Sequence, residues 1–413
     1  MTTKSLLSSY KILILYFVSF LVFGFLSDSP YKILSGLKII VVQPDILITD
    51  YLQIGGLGAS FVNSGLICLI CIFILIKIGV KPNGSTYAAL FTMAGFSFFG
   101  KNLSNIWPIF IGTWLYSRYK KEPYLNYILV ALFGSTLSPT VSQVQFSSNL
   151  PFGLAIFLGI SLGIFIGFIL PPISSYCVRI HEGYNLYNSG FAAGLLATLI
   201  MAVFRSFGIN FGQRYLWSTE YTGILFIYLN LLFISMIIIG YYLNGKSFKN
   251  LKDLFRTPGR MVSDYCLQFG EGCSLINMGI LGIIFTLYVV LVQGDLNGPT
   301  MAGIFTIVGF GAFGKHIKNT VPVALGTVIA SFLNIWSINS AGMLLATLFG
   351  TTLAPISGTF GPVYGIIAGF LHACMVMNVG YLHAGLNLYN NGFSGGLVAI
   401  ILLPIITSLR KEK

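Results

Sequence analysis

Two lysines stand out in this chain because each ends the same short motif in a different part of the sequence. Lys101 and Lys315 both complete a Phe-Gly-Lys motif that follows a short apolar segment. If that segment is a half-helix, both ammonium groups lie deep in the protein, where a buried charge is costly and usually functional. Such a pair could attract an anion or repel cations. The sequence favours the alternative that each lysine snorkels to a polar surface, since His316 and Lys318 lie close to Lys315.

Two histidines, His181 and His383, begin the longest shared motif, His-x-Gly-x-Asn-Leu-Tyr-Asn-x-Gly-Phe. An imidazole can relay protons near neutral pH. A hydrogen-bonded histidine with a purely structural role is the alternative, and the sequence favours it.

Amides and acids recur in matched pairs as well. Four Asn-x-Gly triplets occur where apolar helices are predicted to begin, at Asn63, Asn188, Asn277 and Asn390. These amides could cap and pack helices, or they could line a polar pathway. The only matched acids are Asp50 and Asp264. Each could bind a cation, or it could cap the helix that is predicted to begin near Asn63 or Asn277.

The composition identifies the surroundings of these residues as a lipid bilayer. Among the 413 residues, 55% are hydrophobic and only 8% are charged, whereas a soluble domain carries about 25% charged residues. Mean hydropathy is +0.85. The net charge of +12 comes from short basic clusters between apolar runs, which is typical of membrane orientation signals and not of nucleic-acid binding. We expect a multi-pass protein of the plasma membrane.

The chain is a duplication. Residues 83–113 and 297–327 share 15 identities in 31 ungapped positions, at an offset of 214. The offset is 216 for the block Leu-Phe-Gly-x-Thr-Leu-x-Pro and 202 for the histidine motif. We therefore divide the chain into two membrane repeats, 1–212 and 213–413, with no soluble domain. Residues at equivalent positions of the two repeats are called mates below.

Seven apolar segments are predicted in each half. In the first half they lie near 10–27, 61–80, 86–99, 104–117, 125–145, 150–172 and 189–209; in the second, near 222–243, 274–293, 300–313, 320–335, 340–357, 359–380 and 391–408. Segments 86–99 and 300–313 are too short to cross a bilayer and are predicted to be half-helices or re-entrant segments.

Basic residues predict how the two halves are oriented. Clusters lie at Lys4 and Lys11, Arg118–Lys121, Lys246–Arg260 and Arg410–Lys413, and such clusters favour the cytoplasm. The mates of Arg118–Lys121 carry no charge. Equivalent loops would then face opposite sides, so the fold class is an all-α polytopic membrane protein of two inverted-topology repeats with both termini cytoplasmic.

The paired histidine and Phe-Gly-Lys motifs resemble a family of bacterial polytopic membrane proteins catalogued as domain of unknown function 1576. The resemblance covers nearly the whole chain and implies no activity. In architecture the chain is also similar to urea transporters, which are duplicated and inverted, with re-entrant helices opening on Asn/Gly-containing motifs like Asn63-Ser64-Gly65 and Asn277-Met278-Gly279.

Inverted repeats with broken helices are common in transporters, with the site near the midplane at the repeat interface. The sequence therefore predicts a transport protein for a small polar solute or ion, with a channel-like mechanism slightly favoured over secondary transport. The alternatives are a membrane-embedded enzyme, for which no nucleophile or metal set is recognised, and a structural subunit of a complex. No cofactor or metal is expected, and homo-oligomerisation is left open.

Overall fold

A computed structural model describes residues 3–147, 150–333 and 335–409. These residues form helices and connecting loops, and within them β-type pairing is limited to one isolated parallel bridge between Thr49 and Leu216. The basic residues Arg410, Lys411 and Lys413 lie outside the described residues. In the first half the helices are α1 (Thr3–Ser9), α2 (Lys11–Ser27), α3 (Pro30–Val41), α4 (Tyr51–Gly55), α5 (Leu57–Lys77), α6 (Gly84–Phe96), α7 (Trp107–Lys120), α8 (Ile128–Gly134), α9 (Ser138–Ser147), α10 (Phe152–Ile180) and α11 (Asn188–Ser206).

The second half repeats this order with small changes. Its helices are α12 (Thr222–Leu243), α13 (Leu251–Leu254), α14 (Tyr265–Phe269), α15 (Glu271–Leu291), α16 (Gly298–Phe310), α17 (Ile317–Ser331), α18 (Ala341–Gly350), α19 (Ala354–Phe360), α20 (Pro362–His383) and α21 (Asn390–Leu409). Short 3-10 turns join α8 to α9 and α18 to α19. Corresponding helices make corresponding contacts, since α2 packs on α5 as α12 packs on α15, and α7 packs on α10 as α17 packs on α20.

Eight helical segments within the described residues are long and apolar enough to cross a membrane. The number rises to nine if α2 and α3, which meet at a bend of 114°, form one broken span. The prediction of an all-α polytopic membrane protein is therefore confirmed. Helix α3 was not among the predicted segments; Ser29 caps it and Pro30 occupies its first position, where a proline is tolerated.

The two short segments form helices, α6 and α16, of 13 residues each. At 1.5 Å per residue such a helix is about 20 Å long, less than the roughly 30 Å hydrocarbon core. Both start at an Asn-Gly-x-Thr motif in which the Asn83 or Asn297 side chain accepts from the backbone N–H three residues later, at 3.0 and 3.2 Å. Their residues are almost entirely buried, so other helices shield them from lipid.

These two mate helices cross each other in opposite directions. A Cβ atom added at Gly95 of α6 would lie 2.7 Å from the Ala302 Cα atom of α16, and one added at Gly309 would lie 3.1 Å from the Ala88 Cα atom. Contacts between positions 95 and 302 and between 309 and 88 mean that the helices are antiparallel. Glycine at both positions permits this close approach.

We expect Gly95→Ala to lower the free energy of unfolding by about 1–3 kcal/mol, because the added methyl group would overlap backbone atoms of α16. The matched control is Gly153→Ala in α10, where an added Cβ atom has no neighbour within 4 Å. That change should be neutral or stabilising by up to about 1 kcal/mol. Thermal unfolding in detergent measures both, and equal stabilities would contradict the close packing described here.

Candidate functional site

A cavity of about 370 Å³ lies at the junction of the two halves. Residues from both halves line it, mainly apolar and aromatic side chains with a few polar groups. The first half contributes Asn83, Ser85, Leu129, Val130, Phe133, Ser174, Leu186, Tyr187, Asn188, Ser189 and Gly190, and the second half Met261, Val262, Asp264, Leu267, Phe310, Phe313 and Tyr389. A largely apolar cavity with a small number of polar groups is typical of a small-molecule site.

The two histidine motifs meet at this cavity. Their tyrosines, Tyr187 and Tyr389, stack with ring centroids 4.7 Å apart, although they are mates from opposite halves. Each tyrosine also contacts the phenylalanine at the end of a short helix: Tyr187 contacts Phe310 of α16, and Tyr389 contacts Phe96 of α6, with centroids 5.0 and 4.8 Å apart. The equivalent partners on both sides make this ring stack the centre of the repeat interface.

A reciprocal set of hydrogen bonds holds the two motifs together. The Asn185 side chain donates to the Gly392 carbonyl oxygen at 3.0 Å, and its mate Asn387 donates to the Gly190 carbonyl oxygen at 3.3 Å. Thr352 donates to the Asn185 amide oxygen at 2.6 Å and accepts from the Tyr187 backbone N–H at 2.9 Å. All of these bonds link one half to the other.

Thr136 repeats the role of Thr352 in the opposite half, since it donates to Asn387 and accepts from the Tyr389 backbone N–H. Sequence reasoning did not select these asparagines and threonines as site residues. The signal was present, because both threonines belong to the repeated Leu-Phe-Gly-x-Thr-Leu-x-Pro block and both asparagines to the histidine motif.

Lys315 lies beside the ring stack with its side chain fully buried. Its ammonium group donates to the Tyr187 hydroxyl and, at 2.7 Å, to the Thr351 hydroxyl. It also lies 4.3 Å from the centroid of the Tyr187 ring, a cation–π contact. Because Tyr187 and Phe310 line the cavity, Lys315 lies directly behind the cavity wall.

Lys101 is equally buried but has different partners. Its ammonium group contacts the Met93 sulfur at 3.2 Å and the Leu132 carbonyl oxygen at 3.3 Å. Within the described residues the ion pairs are confined to Arg256–Asp253 and Arg260–Glu182, so neither buried lysine is paired with a carboxylate there. The alternative that these lysines reach a polar surface does not fit their complete burial.

The sequence predicted that Asn63 and Asn277 begin helices, and this prediction is wrong. They lie inside α5 and α15, which start at Leu57 and Glu271 after glycines with φ of +83° and +85°. Each side chain instead forms hydrogen bonds to the backbone of a Phe-Gly-Lys turn. Asn63 donates to the carbonyl oxygens of Ser97 and Lys101 at 2.7 and 3.0 Å, and Asn277 makes the mate bonds to Gly311 and Lys315 at 2.7 and 2.8 Å.

Asn188 and Asn390 are the first residues of α11 and α21, as predicted. Each hydrogen-bonds a histidine of its own motif, with the Asn188 amide oxygen 2.9 Å from the His181 Nε2 atom and the Asn390 amide oxygen 2.9 Å from the His383 Nε2 atom. Asn188 lines the cavity. Both histidines are fully buried.

Asp50 and Asp264 are helix caps, but not of the helices predicted. Each caps a one-turn helix of its own half and also accepts from the first N–H of the short helix in the other half. Asp50 accepts from the Gly298 N–H at 3.2 Å, and Asp264 accepts from the Gly84 N–H at 2.9 Å. Asp264 also lines the cavity. These contacts cross the interface because α6 and α16 start beside the opposite half.

A buried acid that the sequence reasoning missed is Asp45. Its Oδ2 atom accepts from the side chains of Asn102, Asn105 and Ser142 at 2.8–2.9 Å. The mate of Asp45 is Gly259, where a Cβ atom would lie 2.0 Å from the Gly314 carbonyl oxygen. In one half a carboxylate occupies the position at which the other half has a direct backbone contact. Because the two mates differ in residue type, comparing the repeats could not identify Asp45.

The described residues contain no group of three or more His, Cys, Asp or Glu side chains placed to hold a metal ion. Their cysteines are free thiols, four of them buried, and the Cys68-x-x-Cys71 pair lies within α5. The candidate site is therefore an apolar cavity with hydroxyl, amide and carboxylate groups in its wall and the amino group of Lys315 behind that wall.

A family model matches the chain in two segments, residues 29–206 and 243–408. The family is described as "Protein of unknown function (DUF1576)". Since the match covers far more than half of the chain, the chain belongs to this family, and the resemblance noted from the repeated motifs is confirmed. Comparisons with curated proteins and with solved structures give no match.

Proposed function

We propose that this member of the DUF1576 family is a transport protein, which moves a small polar solute or ion through a pathway between its two halves. The observation that carries the proposal is the 370 Å³ cavity at the repeat junction, where mate motifs bring Tyr187, Asn188 and Asp264 together. Polar groups buried inside a membrane protein are costly and are usually kept for function. The fully buried Lys315 behind the wall donates a hydrogen bond to the hydroxyl of Tyr187, which lines the cavity.

The two halves are proposed to have inverted topology in the plasma membrane. The antiparallel crossing of α6 and α16 supports this, because it places a two-fold axis perpendicular to these helices. If α6 and α16 run along the membrane normal, that axis lies in the membrane plane. The exposed basic residues Arg118, Lys120 and Lys121 favour the cytoplasm for the end of α7. The basic residues near the two ends of the sequence favour the cytoplasm for both termini.

A flux assay with the purified full chain in liposomes tests the proposal. Urea, ammonium, small inorganic anions and small carboxylates are the probes, with protein-free liposomes as the blank. We expect at least one solute to cross faster with the protein present. Equal leakage of every probe with and without protein would contradict the transport function.

A substitution within α11 tests whether the cavity is the pathway. Ser189 lines the cavity, so Ser189→Trp places an indole in it. We expect the flux to fall at least about tenfold, which corresponds to a loss of about 1.4 kcal/mol of binding free energy. Ser206→Trp, at the exposed end of the same helix, is the control and should retain the flux. Equal flux in the two variants would place the pathway elsewhere.

A further inference from the structure

A second, smaller cavity of about 90 Å³ is the mate of the first. The large cavity is lined by Leu129, Phe133, Leu186, Asn188 and Phe313. The small cavity is lined by their mates Leu345, Phe349, Leu388, Asn390 and Phe99, which are the same residue types. About half of the residues that line the large cavity thus have mates in the wall of the small one, and the two volumes differ about fourfold.

Side-chain size does not explain this difference. Ser189 in the large cavity corresponds to Asn391 in the small one, and Val262 corresponds to Ile48. Such replacements add about one to two heavy atoms each, far less than the missing volume. Val262 is 79% exposed, whereas Ile48 is only partly exposed and its backbone is hydrogen-bonded to Arg214 and Leu216 of the segment that joins the two halves. The large cavity also extends along Asp264, Leu267 and Phe310, whose mates do not line the small cavity.

The lysines show the same asymmetry at the ring stack. Lys315 donates to the Tyr187 hydroxyl, and the mate pair would be Lys101 with Tyr389. That bond is absent: Lys101 contacts Met93 and Leu132, and the buried Tyr389 hydroxyl has no hydrogen-bond partner among the described residues. The Lys–Tyr hydrogen bond is therefore made in one half and not in the other.

Only a thin partition separates the two cavities. Tyr389 lines the large cavity, whereas its chain neighbours Leu388 and Asn390 line the small one. A shift of this segment would take volume from one cavity and give it to the other. The glycines Gly190 and Gly392 beside it approach so closely that an added Cβ atom at one would lie 3.0–3.2 Å from the other.

We propose that the small cavity is a second solute site, the opposite end of the pathway, and that the chain alternates between two conformations. In the second conformation Lys101 bonds Tyr389, the small cavity opens and the large one closes. Two halves with the same wall residues can exchange states at little net cost in free energy, and a solute then shifts the populations. The inference rests on the proposed transport function and selects alternating access over an open channel.

Paired cysteine reporters test the exchange in liposomes. The six natural cysteines are first replaced, and Val262→Cys or its mate Ile48→Cys is added. The probe is a membrane-impermeant maleimide applied from each side in turn. We expect fast labelling of Val262→Cys from one side and slow labelling of Ile48→Cys from the other side.

A second substitution then shifts the balance. Tyr187→Phe removes the hydroxyl that Lys315 engages, and one hydrogen bond corresponds to about a threefold to tenfold change in population. Labelling of Val262→Cys should fall and that of Ile48→Cys should rise by this factor. Thr351→Val removes the other Lys315 partner and should shift both rates in the same directions. The mate variant Tyr389→Phe should neither lower the labelling rate of Val262→Cys nor raise that of Ile48→Cys.

The outcomes separate the inference from the function on which it rests. Solute flux with reporters that stay constant, or that change in the same direction, would overturn alternating access and leave transport by a channel. Reciprocal labelling without flux of any probe would support the exchange and contradict the transport function.

Discussion

Asp50→Ala is expected to lower the free energy of unfolding by about 3–9 kcal/mol, since three backbone N–H groups would lose their acceptor at about 1–3 kcal/mol each. These groups belong to Leu52, Ser218 and Gly298, at 2.9–3.2 Å from the carboxylate oxygens. Asp50 is fully buried, so water would not replace the lost oxygen atoms without entering the interior.

The effect should also be specific to the interface between the halves. Two of the three donors, Ser218 and Gly298, belong to the second half, so the variant loosens the start of α16. Thermal and chemical unfolding in detergent measure the loss. Asp253→Ala, which removes an exposed i,i+3 ion pair with Arg256, is the control and should change stability by less than about 1 kcal/mol. A similarly small effect of Asp50→Ala would show that its hydrogen bonds do not hold the halves together.

Lys315→Met is expected to reduce solute flux at least about tenfold while the protein stays folded. Methionine has a similar length without the charge, and removing a hydrogen-bonded charged group from a site costs about 1.5–3 kcal/mol of binding. Stability should be unchanged or higher, because exchanging a buried charge for an apolar side chain is often neutral or stabilising. A loss of activity without a loss of stability distinguishes a functional lysine from a structural one.

The control for this variant is Lys318→Met, three residues later and exposed. It changes the formal charge equally and should leave the flux within about twofold, because an exposed charge is screened by solvent. Liposome flux and thermal unfolding are measured on both variants. Full flux in Lys315→Met, or unfolding of that variant alone, would remove Lys315 from the proposed site.

Much of the helical framework could be predicted from the sequence. The short helices α6 and α16 were expected from segments 86–99 and 300–313, because apolar runs of that length have one regular solution in lipid. Asn188 and Asn390 were correctly placed at helix starts. The repeat also singled out Lys101 and Lys315, but the sequence favoured a position at a polar surface, whereas both side chains are fully buried.

The errors have a common cause. Asn63 was taken for a helix start, but Gly56 with its positive φ begins α5 earlier, and the amide serves the turn at Lys101. Asp50 was assigned to the helix near Asn63, but it caps the short helix α4 of its own half and also accepts from the first N–H of α16 in the other half. Asp45 has no acidic mate, so the repeat could not reveal it. In each case the partner is distant in the sequence.

By itself, the sequence determined that the chain is a membrane protein, that it is duplicated, where most of its long helices lie and which family it belongs to. Those properties follow from composition, hydrophobic runs and matched motifs, which are local or repeated along the chain. Only the tertiary structure decided that mate tyrosines stack, that aspartates cap across the interface and that one of two equivalent cavities is larger. These depend on how closely packed halves meet, and two halves with equivalent motifs can still differ in conformation, which a linear pattern does not record.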